Sequence, residues 1–240
     1  AAVTEADIIT GARNRAALPQ LVKDFSLDHQ RVVNIPKHEK GEDFESCSAA
    51  DFGVRTRAFL KIQDGCDNWR SYCIIPAARG PVRSKPMPEL QSELLTLAQN
   101  GYREIVLTGI NLSNYGREWG LHLSDAVLAA AATPGVERVR LGSIEPDLLT
   151  PQEIYRLAER CGGKLCPQFH LSLQSGCDAT LRRMNRHYDT TQYRAVAEAV
   201  RKAFPGAALT TDMMVGFAGE TEVDHQESLQ FAREIGFAKI

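Results

Sequence analysis

From about residue 57 onward, short apolar runs alternate with longer amphipathic ones. RAFLKIQD at 57–64 predicts a strand ending in Gly65, and 87–100 a helix closed by Gly101. EIVLTGI at 104–110 is the next strand, followed by a helix over 121–132 that Thr133, Pro134 and Gly135 stop. RVRLGSI at 138–144 predicts a strand, and 151–161 a helix with Thr150 as N-cap and Pro151 at its first position. Further on come a strand at 169–173, helices at 179–184 and 191–203, and a strand at 208–215. A helix at 221–235 ends at Gly236, and 237–240 begin one more strand. Strict alternation implies parallel strands with helical crossovers, so an α/β fold with about five βα units plus the start of a sixth strand. Either a full or partial (β/α) barrel or a doubly wound sheet fits, and in both the chemistry collects at the C-terminal strand ends. The unusual residues lie there: Gly65-Cys66, TGIN at 108–111, GSIEP at 142–146, SLQSG at 172–176 and the stretch from Asp212 to Gly216.

The first 56 residues differ. ADIITG at 6–11 predicts a short strand, and 15–24 a helix broken early by Pro19. Residues 26–56 are polar without sustained periodicity and read as a linker. The organisation expected is therefore 1–25 as a strand-and-helix segment, 26–56 as linker and 57–240 as the main domain. A chain that opens on one strand and one helix, and closes on a bare strand, looks cut at both ends.

With 43% hydrophobic and 24% charged residues, the composition is that of a globular protein. No run approaches the roughly 18 apolar residues a membrane span needs. AAVTEAD at the N-terminus carries no signal-peptide pattern, so a cytoplasmic setting without membrane is expected. The net charge of −2 does not itself favour nucleic acid. Two local basic clusters do point that way: one holds Arg55, Arg57, Lys61, Arg70, Arg79, Arg83 and Lys85, the other Arg182, Arg183, Arg186, His187 and Arg194. Each reads equally as solvated surface or as a phosphate-binding face. Six scattered cysteines do not make a secreted disulfide framework.

Two of those cysteines stand in the most informative stretch, KIQDGCDNWRSYCIIP at 61–76. Cys66 and Cys73 occupy the first and third places of a C-x3-C-x2-C triplet, with Arg70 in the second. Tyr72 precedes the last cysteine, and ARGPVRS comes after it at 78–84. With IVLTGINLSNY (105–115), RVRLGSIEP (138–146), PQFHLSLQSGCDATLRRMNRHY (167–188) and TDMMVGFAGETE (211–222), this stretch resembles the radical-SAM domain of the tRNA methylthiotransferases.

The resemblance implies a partial radical-SAM TIM-type barrel that binds a 4Fe–4S cluster and S-adenosylmethionine (SAM). Cys66 and Cys73 are the implied iron ligands, and Tyr72 lies against the adenine. Gly109, Asn111, Ser143, Glu145, Gln174, Ser175, Arg183, Asp212 and Gly216 are the implied SAM contacts. One of Arg182, Arg183 and Arg186, taken to be Arg183, is assigned the SAM carboxylate, which a two-pronged guanidinium suits, and Glu220 is expected to cap the next helix. An arginine brings a fixed charge and no iron-binding atom, so the cluster is expected to be impaired. Cys47, Cys161, Cys166 and Cys177 have no ligand spacing, and His170 reads as a satisfied core histidine.

LGSIEP and CPQFHLSLQSGC look most like the branch that adds a methylthio group to C2 of N6-threonylcarbamoyladenosine beside the tRNA anticodon. That resemblance implies as partners tRNA, SAM and an electron donor such as flavodoxin or ferredoxin. The isopentenyladenosine enzyme, the ribosomal-protein enzyme and an inactive RNA-binding remnant remain alternatives. ADIITGARNRAALPQLVKDF at 6–25 resembles the last strand and helix of the family's N-terminal α/β domain, which makes 1–25 its tail; that domain's cluster cysteines and the C-terminal RNA-binding barrel are expected to lie outside this chain.

Overall fold

A computed structural model describes residues 4–46, 52–53 and 55–240. Its main sheet has the order β4-β3-β5-β6, built from β3 (Arg57–Asp64), β4 (Arg83–Ser84), β5 (Glu104–Gly109) and β6 (Arg138–Leu141). β3, β5 and β6 are parallel, and only the two-residue β4 runs against them. β7 (Gln168–His170) and β8 (Ala208–Thr210) form a second parallel pair. Single bridges Val139–Leu165, Ile144–Leu171 and Thr210–Lys239 carry the curl onward from β6 through β7 and β8 to the last residues. The result is a partial α/β barrel, as the alternation of elements predicts.

β6 and the first half of β3 alternate in burial, as one-sided packing requires, while Ile105, Val106 and Leu107 of β5 are all buried. Ala58, Leu60 and Ile62 of β3, Ile105 and Leu107 of β5, and Val139 and Leu141 of β6 are buried. They share one core with the helices α3 (Met87–Gln99), α4 (Leu123–Ala132), α5 (Pro151–Arg160), α7 (Thr190–Ala203) and α8 (Glu222–Ile235). Of the intervening residues Phe59 and Val106 are apolar, whereas those at 104, 140, 168 and 210 are polar and bonded to each other from strand to strand. Arg140 donates to Glu104 at 2.9 Å and to Gln168 at 3.3 Å, and Gln168 donates to Thr210 at 3.3 Å. His170 lies 3.1 Å from the Thr210 hydroxyl and 3.4 Å from Asp212. It is satisfied, but within this polar ladder and not in the apolar core.

The helix starts obey local chemistry. The Thr150 side chain accepts from the Glu153 amide at 3.2 Å, while the Glu153 carboxylate accepts from the Thr150 amide. Thr150→Ala removes this reciprocal cap and is expected to cost about 1 kcal/mol, a fall of roughly 2–4 °C in thermal midpoint. Differential scanning calorimetry checks it, and an unchanged midpoint would show the cap to be idle. For α8 the cap is Thr221, paired with Asp224, and not Glu220. The Glu220 carboxylate turns back instead to accept from the Phe217 amide.

The N-terminal part departs further from expectation. Pro19 does not break its helix: α1 runs Leu18–Asp28, with the proline in the first turn, where no amide hydrogen bond is lost. Within the segment read as linker, α1 extends to Asp28 and β2 (Val32–Asn34) pairs in parallel with β1 (Ile8–Thr10). Cys47 lies outside the described residues.

Candidate functional site

At the C-terminal end of β3, Gln63 and Asp64 organise the rim of the barrel. The Gln63 side chain donates to the carbonyls of Asp64 and Gly65 at 2.7 and 2.8 Å and accepts from the Asn111 amide at 2.7 Å. It thereby ties the end of β3 to the loop after β5. Gly109 makes room for it, since a Cβ there would sit 2.9 Å from the Gln63 Oε1.

Asp64, 1% exposed, collects cations from several directions. Arg79 donates to it at 2.8–3.0 Å and Lys61 bonds it, while Arg15 and Arg83 approach within 3.5 and 3.7 Å. Burial alone would raise its pKa, but the hydrogen bonds from Arg79 and Lys61 outweigh that and bring it to about 2. Gly65 then turns the chain at φ +72°, with its Cα so close to the 80–82 segment that a Cβ would fall 1.8 Å from the Pro81 carbonyl oxygen. Gly65→Ala is therefore expected to lose more than the roughly 1–2 kcal/mol of left-handed strain alone. Gly120→Ala, at φ +68° in open space, is the control that shows only that strain. Thermal melts of the two variants compare them, and equal losses would deny the close approach.

The loop after Gly65 holds Cys66, Arg70 and Cys73. Burial pushes the Cys66 thiol up, and the adjacent Asn111 side chain pulls the other way. Neither amide atom of Asn111 nonetheless has a hydrogen-bond partner of ordinary geometry. Arg70 is 7% exposed. Its guanidinium donates to the Asn185 carbonyl at 2.7 Å and to Glu145 at 3.2 Å, and lies 3.7 Å from Asp147. Arg186 donates to both oxygens of Glu145, at 2.8 and 2.7 Å, and to the Tyr72 hydroxyl. Burial and the neighbouring Glu145 push the Asp147 carboxyl up.

The structure thus brings Tyr72, Glu145 and Arg70 together, with Asn111 beside Cys66. The side chains of the other expected site residues make no hydrogen bond or ion pair with Tyr72, Glu145 or Arg70, although the Tyr72 ring meets Phe217 beside Gly216 and the Arg183 carbonyl accepts from Ser71. Arg183 is paired with Asp224 and donates to the Thr180 hydroxyl at 3.1 Å. Ser175 is fully buried, its hydroxyl 2.8 Å from that of Ser228. Ser143, Asp212 and Gly216 are exposed, and Gln174 sits at φ +67° where Met213 bridges to it. Sequence reasoning passed over Gln63 and Asp64, and it preferred Arg183 to Arg186, the arginine that meets Glu145 and Tyr72. The polar residues QD closing a buried strand were the available signal for the first two.

The basic clusters are largely engaged by carboxylates of the chain itself. Lys85 pairs with Glu93, Arg57 with Glu104, Arg83 with Glu42 and Asp64, and Arg194 with Glu234. Beside the loop, a cleft of about 1480 Å³ runs between residues 35–44 and the motif, with Cys66, Trp69 and Trp119 on its walls. Cys161, Cys166 and Cys177 are buried, and the Cys177 thiol lies 3.5 Å from Asp224.

The family profile described as the Radical SAM superfamily matches residues 60–232. The chain belongs to that superfamily. Among curated relatives, a threonylcarbamoyladenosine tRNA methylthiotransferase from Thermotoga maritima is 35% identical over 235 residues, covering 98% of this chain and 53% of that protein. A tRNA-2-methylthio-N(6)-dimethylallyladenosine synthase from Symbiobacterium thermophilum is 36% identical over 239 residues, covering 96% of this chain and 50% of that protein. The chain is a homologue of the tRNA methylthiotransferases and spans about half the length of these relatives. The radical SAM methyltransferase TsrM from Kitasatospora setae superposes over 76% of this chain and 35% of its own, with TM-score 0.62 and 16% identity. Methylornithine synthase (PylB) superposes over 78% of this chain and 52% of its own, with TM-score 0.52 and 14% identity. These two likenesses concern the fold.

A radical-SAM fold implies a 4Fe–4S cluster and SAM. The cluster is held by thiolates, and the residues around Arg70 do not match that need. They offer two thiols and a guanidinium, and no group of three His, Cys, Asp or Glu side chains suited to a metal occurs among the described residues. Nor, among those residues, is any helix long and apolar enough to cross a membrane.

Proposed function

We propose that the protein to which this chain belongs is a tRNA methylthiotransferase of the threonylcarbamoyladenosine branch, and that the chain as written does not retain the radical-SAM cluster. On this reading residues 1–25 are the tail of a preceding domain, 26–56 a connector and 57–240 the radical-SAM domain. Similarity across nearly the whole chain to enzymes named for tRNA methylthiolation supports the class. The motifs LGSIEP and CPQFHLSLQSGC support the branch.

The observation that carries the cluster reading is the state of Arg70. Its guanidinium is buried in the ligand loop and bound to Asn185 and Glu145, which leaves Cys66 and Cys73 as the loop's thiols. SAM remains a fitting ligand through other residues. Glu145 offers an acceptor to an ammonium or ribose hydroxyl, Asn111 both an unpaired carbonyl and an unpaired amide, and Tyr72 a 40%-exposed ring. Arg186, with its bidentate hold on Glu145, orients that carboxylate.

A direct test places the full gene, with Arg70 or with cysteine at that position, in a strain lacking its own tRNA methylthiotransferases. Mass spectrometry of the tRNA nucleosides is expected to find methylthiolated threonylcarbamoyladenosine only with cysteine. Methylthiolated isopentenyladenosine would overturn the branch, and modification by the Arg70 protein would overturn the cluster reading. A second reading, tRNA binding without chemistry, is favoured by the same arginine. It is separated by salt-dependent tRNA affinity in the unmodified chain.

A further inference from the structure

In the cysteine loop, Arg70 does more than leave a ligand position empty of sulfur. Its Nη1 reaches the Asn185 carbonyl, and its Nη2 reaches Glu145 and comes within 3.7 Å of Asp147. Those acceptors lie on the turn after α6 (Asp178–Arg183) and in the segment after β6. One side chain therefore joins the cysteine loop to two other parts of the barrel rim. Backbone bonds trace the same path: the Ser71 amide donates to the Met184 carbonyl at 3.2 Å and its hydroxyl to the Arg183 carbonyl at 2.8 Å. The Asn185 side chain, on a residue at φ +56°, donates to the Trp69 carbonyl at 2.9 Å.

Three polar atoms inside this network are closed to solvent, although Tyr72 and Asn185 at its edge are exposed. The Nε atoms of Arg70 and Arg186 and the Oδ1 of Asp147 are buried with no hydrogen-bond partner. Buried polar atoms are nearly always paired, and a guanidinium laid out to receive an anion would keep its free N–H groups reachable. These are sealed in, so the pair of arginines does not form a docking site for phosphate or carboxylate. What the geometry does provide is a charged bolt: two guanidinium groups alternate with two carboxylates across the place where three loops meet.

We infer that Arg70 acts as an ionic substitute for the cluster, holding the Cys66–Cys73 loop in its folded path without metal. In a cluster-bearing protein the iron–sulfur unit ties such a loop to itself through three thiolates. Here the tie runs outward, from position 70 to Glu145, Asp147 and Asn185. The loop's order then depends on charge pairing and is indifferent to iron. The inference deepens the reading that no cluster is retained, and the two can fail separately.

Hydrogen exchange of the Ser71 and Cys73 amides is the test, because their acceptors, the Met184 and Arg70 carbonyls, lie inside the bolted region. In the unmodified chain, protection at both amides is expected to be the same before and after treatment with an iron chelator. In Arg70→Met, which keeps the apolar stem but not the charge, exchange there is expected to rise at least about tenfold, with amides of α7 unchanged as a control for folding. Should Arg70→Met not fold, Glu145→Gln carries the test, since it weakens the central acceptor without altering the loop; accelerated exchange is again expected. Unaltered protection in the variant that folds, with no iron in the unmodified chain, would overturn the bolt and leave the cluster reading standing. Protection that falls on chelation, together with measured iron, would overturn both.

Discussion

Arg70→Cys is expected to convert a chain that takes up little iron into one that holds about four irons and four sulfides after anaerobic reconstitution. The backbone around position 70 is already in place for this. The Cys73 amide bonds the Arg70 carbonyl at 3.0 Å, and the Cys66 amide the Gly80 carbonyl at 3.0 Å, so the backbone turn that a third thiolate needs is present, and the cluster takes over the tie that the Arg70 side chain supplies. Substitution also releases Glu145 from one of its two arginines, leaving Arg186 as its bidentate partner. Iron and acid-labile sulfide counts, with the electron paramagnetic resonance of the reduced sample, check the outcome. A full complement in the unmodified chain, or none in the variant, would sink the prediction.

Asp64→Asn is expected to be the most destabilising single change around the site. The carboxylate is buried and receives Arg79 bidentately together with Lys61, with Arg15 and Arg83 close by. Removing the buried carboxylate leaves the half-buried Arg79 and Lys61 without their shared anion, at a cost of roughly 3–5 kcal/mol. For a domain of this size that is a fall of roughly 6–20 °C in the thermal midpoint. The double variant Asp64→Asn/Arg79→Met is expected to recover part of the loss, since it removes the cation as well as the anion. A shift below about 2 °C for the single variant would mean that solvent screens the cluster far more than its burial indicates.

The barrel was readable from the chain where periodicity is long and punctuation strong. β3 spans the residues that its alternation marks, and α8 ends at the glycine that its pattern requires. The misreadings have local causes. Pro19 looks like a breaker until the helix start is known, because a proline in the first turn and one in the middle of a helix differ only in what precedes them. β2 is three residues long, and its partner β1 is more than twenty residues upstream, so no local pattern announces it. Strands expected to reach residues 144, 173 and 215 stop earlier and continue only as single bridges, where the curling sheet has lost its regular ladder.

For the site, motif spacing was informative about Cys66, Arg70 and Cys73, because those residues are close in sequence. It said less about which of the arginines at 182, 183 and 186 faces the loop. That choice depends on the turn after α6, where Asn185 takes a left-handed conformation and Arg186 meets Glu145 while Arg183 meets Asp224. Charge clusters were the least legible feature. Their carboxylate partners lie on other strands and helices, so a run of arginines in the sequence overstates the cationic surface in the fold.

Gln63 has a consequence for how this loop tolerates change over generations. It fixes the exit of β3 and the loop after β5 from outside the cysteine segment, by three hydrogen bonds that involve no side chain between 66 and 73. The frame of the pocket is therefore inherited separately from its contents. A lineage can exchange the residue at position 70, even for one of opposite chemistry, and still pass on an intact barrel. What such an exchange alters is the tie from the cysteine segment to the turn after α6 and the segment after β6, not the join between β3 and the loop after β5.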